Sequence, residues 1–294
     1  MVRLRPNLLH YSTLYRFHKY AAVNDWQQRV VEHFLAHKAA VSKAQHSGSG
    51  ALPPEAPTPT ILTFSPQPAY ATGRREIDSL TPQQVEEMKT PMPAPAKWDA
   101  SNVADILPTL RGGQITFHGP GQLVIYPILD LRAVKSGVWP KGLGVRDYVN
   151  LLEETTIRTV GRFGINATRT ENPGVWLTEG AKGERKIAAL GVHLRRNVTS
   201  FGVGLNVATD LRWFDRIVGC GLVGKGTTSL ENELPEKDSP RDQIQQISQW
   251  WVEEFARGVW GPDGSYESWR LGDLSLSENE PSNWHTPGEI LGRL

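Results

Sequence analysis

One cysteine, Cys220, occurs in 294 residues, so no internal disulfide can form and any thiol chemistry falls to that side chain. Such sparing use of cysteine points to a reducing or indifferent compartment. No stretch approaches the eighteen or so apolar residues that span a membrane, which argues against a membrane protein. The formal net charge is only +1, without the strongly basic balance of a dedicated nucleic-acid binder. The eight histidines are scattered, none set at i, i+4 around a glutamate, and one thiolate cannot build a metal cluster. Acidic residues are missing before Asp25, while Arg3, Arg5, Arg16 and Lys19 stand there with Ser12 and Thr13. That is the composition of an organellar presequence, and Leu8–Tyr20 reads equally well as a first strand. Both readings can hold together, and the expectation is a mitochondrial protein. The sequons at Asn166 and Asn197 carry no meaning without a secretory signal.

Apolar residues make up 39% and charged residues 21%, the balance of a soluble chain long enough to bury a real core. Behind the capping-box pattern Asn24-Asp-Trp-Gln27, the spacing of Trp26, Val30, Val31, Phe34 and Leu35 predicts an amphipathic helix over 25–38. From Ser42 to Pro59 the chain turns to Ser, Gly, Ala and Pro and reads as a loop. Ile61–Phe64 predicts a buried strand. Thr81-Pro-Gln-Gln84 opens a short helix, with proline at its first position. Pro91, Pro93 and Pro95 end that helix in a second insertion.

Gly144–Gly164 predicts the best-formed helix in the sequence, with Val145, Tyr148, Val149, Leu152, Thr156, Val160 and Phe163 on one apolar stripe. Val175–Leu177, Lys186–Leu194 and Val198–Val207 read as strands. A last helix starts at Ser239 and turns Ile244, Ile247, Trp251 and Phe255 inward. Strands interleaved with a few helices make the expected class α+β, or mixed α/β, with a central mixed sheet flanked by helices. The expected organisation is one domain over 1–258, with insertions near 42–60 and 90–100. An irregular or disordered extension would follow over 259–294.

Two stretches carry candidate chemistry. In Arg111-Gly-Gly-Gln-Ile-Thr-Phe-His118-Gly-Pro-Gly-Gln-Leu123, strand-like runs Gln114–Phe117 and Leu123–Leu131 flank a tight turn. Gly112 and Gly113 permit close approach of another molecule, although an ordinary bulged hairpin fits the same pattern. Cys220 lies between Gly219 and Gly221 in a turn where its sulfur could be approached, yet a lone cysteine is equally a small buried hydrophobe. The surrounding Gly219-Cys-Gly-Leu-Val-Gly224-Lys225-Gly226 nearly spells a phosphate-binding loop. Glycine at the last position removes the hydroxyl that would hold magnesium, so no nucleotide site follows.

Taken together these stretches resemble the mitochondrial form of the octanoyl-carrier-protein:protein octanoyltransferases, the lipoate-protein ligase B type. The likeness runs through Arg111–Leu123 and Tyr126-Pro-Ile-Leu-Asp-Leu131, then Gly174-Val-Trp176 and Lys186-Ile-Ala-Ala-Leu-Gly191. It continues at Val198-Thr199, Leu205-Asn-Val207, Ile217-Val-Gly-Cys220-Gly221 and Thr228-Ser-Leu230. It implies a biotin/lipoate protein ligase-like catalytic domain. The family's nucleophile falls on Cys220 and its active-site lysine on Lys186, which the pattern alone leaves as a solvated strand-edge residue. The acyl pocket falls on Arg111, Gly112, Gly113, Gln114, Ile115, Thr116, Phe117 and His118, on Ala189, Leu190 and Gly191, and on Phe201, Gly202 and Val203. There are departures: Gly219 stands where the family carries proline, Phe201 where it carries histidine, and Ser65-Pro-Gln-Pro68 where it carries Glu-His-Pro-Pro.

The resemblance implies a donor, octanoyl-acyl carrier protein, and acceptors, the lipoyl domains of 2-oxoacid dehydrogenase complexes and the glycine cleavage H protein. It implies no cofactor, no nucleic acid and no membrane. An octanoyl group would pass through a Cys220 thioester to an acceptor lysine, with Lys186 handling protons. An ATP-dependent lipoate or biotin ligase, and a silent scaffold for lipoyl domains, are the alternatives.

Overall fold

Residues 60–66 and 122–128 are buried at every position, which only strands covered on both faces can be. The computed structural model describes residues 6–47, 55–74, 76, 80–93, 98–180, 182–217 and 225–271. The chain begins with β1 (Leu8–His18), α1 (Tyr20–Ser47), β2 (Thr60–Pro66), β3 (Ala69–Thr72) and α2 (Pro82–Lys89). Next come β4 (Asp105–Pro108), β5 (Thr116–His118), β6 (Gln122–Ile128), α3 (Val145–Gly161) and β7 (Val175–Leu177). The second half holds β8 (Arg185–Arg195), β9 (Val198–Asn206), β10 (Gly226–Thr227), α4 (Leu230–Glu233), α5 (Ile244–Trp260) and β11 (Tyr266–Arg270).

Eight strands form a mixed sheet in the order β10-β8-β9-β6-β2-β1-β11, with β7 paired to β8. On one face Leu123, Ile125, Val203 and Leu205 meet Tyr148 and Leu152 of α3 and Trp251 and Phe255 of α5. Trp251 donates its indole N–H to Thr156 Oγ1 at 2.9 Å, which satisfies both groups inside that layer. On the other face Val124 and Tyr126 meet Tyr20 and Val23 of α1, because successive strand residues point to opposite sides. A small sheet, β4-β3-β5, packs beside it and buries Tyr70, Ile115 and Phe117 against Met88 and Trp213. The mixed α/β class and the central mixed sheet flanked by helices are as expected.

The glycine-turn segment does not form a hairpin. β5 pairs antiparallel with β3 in the small sheet, while β6 pairs with β2 and β9 in the large one. The turn between them therefore carries the chain from one sheet to the other. α1 runs well beyond 25–38 at both ends: Asn24 lies inside it, where its side chain accepts from Gln27 Nε2 at 3.3 Å. The Ala- and Lys-rich stretch Lys38–Gln45 has the propensity to carry the helix on to Ser47, into the stretch expected to be a loop from Ser42. Thr81 caps α2 as expected, with Gln84 returning the bond to its backbone. Val145 is half exposed at the first turn of α3, off the predicted stripe. The segment beyond Gly258, expected to be irregular, adds β11 to the large sheet in parallel with β1.

His10 joins β1 to both of its neighbours. Its Nδ1 lies 2.9 Å from Ser268 Oγ on β11 and its Nε2 2.8 Å from Thr63 Oγ1 on β2. Burial pushes its pKa down to about 4, so the folded chain holds it neutral while the unfolded chain protonates near 6.5. The unfolded state then binds more protons between about 6.5 and about 4, and stability falls as pH is lowered through that window. The expected loss is roughly 3 kcal/mol once pH is below both values. Urea unfolding from pH 7 to 4.5 should show it, and His10→Gln should flatten that limb. An unchanged slope in the variant would contradict this account.

Candidate active site

A narrow slot lies between the loop after β4 and the β8–β9 pair. The register sets Ala189 opposite Gly204 and Gly191 opposite Gly202, so small residues face the loop. The Gly112 N–H donates to the Val192 carbonyl at 3.0 Å and holds the loop over the sheet. A Cβ on Gly191 would stand 2.9 Å from Arg111 Cδ, closer than real Cβ contacts come, and 3.2 Å from the Gly112 oxygen, which is tight. Of its lining residues, Gly113 and Gln114 are exposed, and His118, Tyr126 and Phe201 are buried. Its open volume, about 30 Å³, holds a water molecule or two.

Phe201 reaches the slot by a backbone device. Val203 and Leu205 share its parity and point to the α3–α5 face, yet Phe201 packs with Tyr126 and Tyr20 on the opposite face. Its φ of 59° lies in the left-handed region and turns the side chain over. The Phe201 N–H donates to Gln27 Oε1 at 2.5 Å, fixing that turn to α1, and the ring meets Tyr126 edge-on at 5.6 Å.

His118 is set by neighbours from four segments. Tyr20 stacks on its ring at 5.3 Å, and the Tyr20 hydroxyl meets that of Tyr126 at 2.6 Å. Gln122 Nε2 donates to the Phe117 carbonyl (3.1 Å) and to Asn206 Oδ1 (2.9 Å), while Asn206 Nδ2 donates to the Thr228 carbonyl (3.0 Å). Gln122 Oε1 is then left as an acceptor, so the contact of 2.6 Å from His118 Nδ1 is an N–H donation, with the lone pair on Nε2. Burial, and then the Arg111 guanidinium, push the His118 pKa down to about 4. The ring is a neutral acceptor at physiological pH.

Lys186 lies three residues before Ala189 on β8, about 10 Å along the strand. The side chain is largely buried. Its Nζ donates to the Pro173 carbonyl at 3.1 Å and stands 4.6 Å above the Trp176 ring. Gly174, with φ of 131°, makes room for it: a Cβ there would come within 3.1 Å of Lys186 Cε. β10 is fixed alongside, with the Thr228 N–H donating to the Lys186 carbonyl at 2.9 Å. Thr228 also donates to Glu233, and Glu233 pairs with Arg185 at 2.8 Å. That guanidinium, first, and then the Thr228 hydroxyl hold the Glu233 carboxyl down at about 2, against the opposing pull of burial. The chain after residue 224 is thereby anchored beside Lys186.

Of the residues singled out from sequence, Arg111, Gly113, Gln114, Thr116, His118, Ala189, Leu190, Gly191, Phe201, Gly202 and Val203 line the slot. Ile115 and Phe117 do not. Strand alternation sends them to the opposite side of β5, into the cluster with Met88 and Trp213. Gly112 contributes its backbone bond to Val192 and is not part of the lining. Cys220 lies outside the described residues, as do Gly219 and Gly221. Tyr126 and Gly204 line the slot and were not foreseen, and neither were Tyr20 and Gln27 behind it. Tyr126 shares strand parity with Val124, the one signal that marked its face.

Residues 51–256 match the lipoyl protein ligase A/B catalytic domain. A probable octanoyltransferase of Schizosaccharomyces pombe is 42% identical over 215 residues, covering 73% of this chain and 81% of that protein. A mitochondrial octanoyl-acyl-carrier-protein:protein N-octanoyltransferase of Danio rerio is 42% identical over 197 residues, covering 67% of this chain and 77% of that protein. Among solved structures, the bi-partite lipoate protein ligase of Thermoplasma acidophilum has a TM-score of 0.56, with 92% of this chain and 89% of that one aligned. At 10% identity that likeness concerns the fold alone.

The same substitution should have opposite signs at two glycines. Gly191→Ala must push Arg111 or the loop backbone aside and should cost about 1–3 kcal/mol. Gly161→Ala, at the end of α3 with open space around the position, should gain about 0.5–1 kcal/mol from reduced chain entropy. Thermal unfolding of the two variants checks this. Equal shifts would contradict the close approach described here.

Proposed function

The chain belongs to the lipoyl protein ligase A/B catalytic-domain family and is an octanoyltransferase of protein lipoylation. We propose that it draws the octanoyl group from octanoyl-acyl carrier protein through a Cys220 thioester. The observation that carries this reading is the pairing, on one strand, of a positioned lysine ammonium with a slot floored by small residues. The acyl chain would enter the slot with its tail toward Tyr126 and Phe201. The open volume is smaller than an eight-carbon chain, so side chains part as it enters. Each buried methylene contributes about 0.8 kcal/mol, and the chain supplies on the order of 5 kcal/mol.

Cys220 sulfur would attack the thioester carbonyl, forming a new carbon–sulfur bond as the carrier's carbon–sulfur bond breaks and its thiol leaves. A lysine amine of the acceptor then attacks the same carbon. The Cys220 thiolate departs and the nitrogen gives up a proton as the amide forms. The Lys186 ammonium favours the thiolate, and its nitrogen is the station for protons moving between sulfur and amine. One thioester replaces another in the first half and an amide replaces a thioester in the second, so no nucleotide is consumed. The acceptors are lipoyl domains, including those of 2-oxoacid dehydrogenase complexes and the glycine cleavage H protein. A mitochondrial setting is supported by the mitochondrial relative of Danio rerio, whereas Leu8–His18 of the basic N-terminal stretch is the strand β1.

The test uses the full chain, octanoyl-acyl carrier protein and a lipoyl domain, without ATP. Octanoylated lipoyl domain should accumulate, and Lys186→Met should slow its formation by about 100- to 10,000-fold. Labelling that appears only with octanoate and ATP would assign a ligase instead. Full activity in the Lys186 variant would remove the proton role.

A further inference from the structure

Arg111 is a buried guanidinium that no carboxylate accompanies among the described residues. It is 5% exposed. Other arginines around the core are paired: Arg185 has Glu233, Arg162 has Glu254, and Arg169 has Glu153 and Glu154. Arg111 has backbone carbonyls instead, those of Ala71 at 2.6 Å from Nη2 and of Gly112 at 3.1 Å from Nη1. Its Nε–H is buried with no partner among the described residues. A charge held this way, away from water and without a counter-ion, is costly unless an anion completes it.

The Gly113 side leaves room for one. A Cβ there would meet only Arg111 Nη1, at the ordinary contact distance of 3.4 Å, whereas the Gly191 side is filled by the arginine stem. Among the described residues that line the slot, Arg111 is also the one that is charged, since His118 beside it is neutral. A neutral thioester has no full negative charge to offer such a group. A carboxylate does, and a guanidinium fork matches its two oxygens. Beyond Arg111 and the polar Gln114, Thr116, His118 and Tyr126, the lining is Leu190, Val203, Phe201, Ala189 and glycines, a narrow and mainly apolar track, so the anion should be the head of an unbranched alkyl chain.

We propose that the slot also binds free medium-chain carboxylic acids, with the carboxylate on Arg111 and the chain running toward Phe201. The enzyme would then be held back competitively by the unactivated form of its own acyl group. This inference rests on the reading of the slot as the acyl site.

Calorimetric titration of the full chain near pH 7.5, where the acid is ionised, with sodium octanoate and with octanamide tests it. Octanoate should bind one site at least tenfold more tightly than octanamide and compete with octanoyl-acyl carrier protein. Arg111→Gln should abolish that preference while octanamide binding is kept, and Arg111→Lys should retain part of it. Equal affinities for acid and amide in the wild type would overturn the proposal. So would a preference that survives in Arg111→Gln. The wild-type comparison decides the matter even if the variant does not fold. Octanoyl transfer is followed in the same preparation. Intact transfer with no octanoate binding overturns this inference alone, whereas carboxylate preference without any transfer from the thioester donor overturns the transferase reading.

Discussion

Everything at the site depends on how closely one loop approaches the β8–β9 pair. The Gly112 N–H to Val192 bond at 3.0 Å sets that distance; a side chain at Gly191 would stand 2.9 Å from Arg111 Cδ, and the positive φ of Gly113 disfavours one there. What remains is a slot shaped for a thin, flexible chain. The far end is closed by Phe201, whose left-handed backbone costs on the order of 1–3 kcal/mol. Burying a phenyl ring returns about 1.5–3 kcal/mol, so the conformation is held at little net cost. The bond from its N–H to Gln27 ties that closure to α1.

A second constraint runs from the slot toward Lys186. His118, Gln122, Asn206 and the Thr228 carbonyl form a chain of hydrogen bonds that crosses from the small sheet to the strand beside β8. Each donor in it has an acceptor, and a satisfied buried network is rigid where a broken one is unstable. The network therefore fixes two things at once: the tautomer of His118, and the position at which the chain rejoins Lys186 after residue 224. Trp176 and the Pro173 carbonyl hold the lysine head from the other side. The proposed reactive end and the proposed acyl-holding end of the site are parts of one framework.

Much of this was legible in the sequence, for reasons that differ from residue to residue. The α3 and α5 stripes and the β8 and β9 runs each bury one face in a shared core, so their periodicity survives in the sequence. The two strands around Gly119-Pro120-Gly121 were visible as strands but their partners were not, because a tight turn does not say which neighbour each strand pairs with. Reading them as separate layers would have put Ile115 and Phe117 on the far side of β5. Phe201 could not be placed by parity, since its positive φ reverses the face it occupies. Gln27 and Tyr20 are distant in sequence from everything they hold, and only tertiary structure reveals them. Cys220 was a candidate from its place between two glycines and was assigned a role by resemblance, whereas Lys186 was singled out by resemblance alone. For the lysine, the buried position over Trp176 now supplies a physical reason.

The account turns on a covalent intermediate at Cys220. Intact-mass analysis of the full chain after mixing with octanoyl-acyl carrier protein, without ATP, tests it most directly. Wild type should gain one octanoyl group that hydroxylamine removes and that passes to a lipoyl domain, and Cys220→Ser should gain no hydroxylamine-labile group. A lipoyl domain octanoylated at full rate by the Cys220→Ser variant would contradict it.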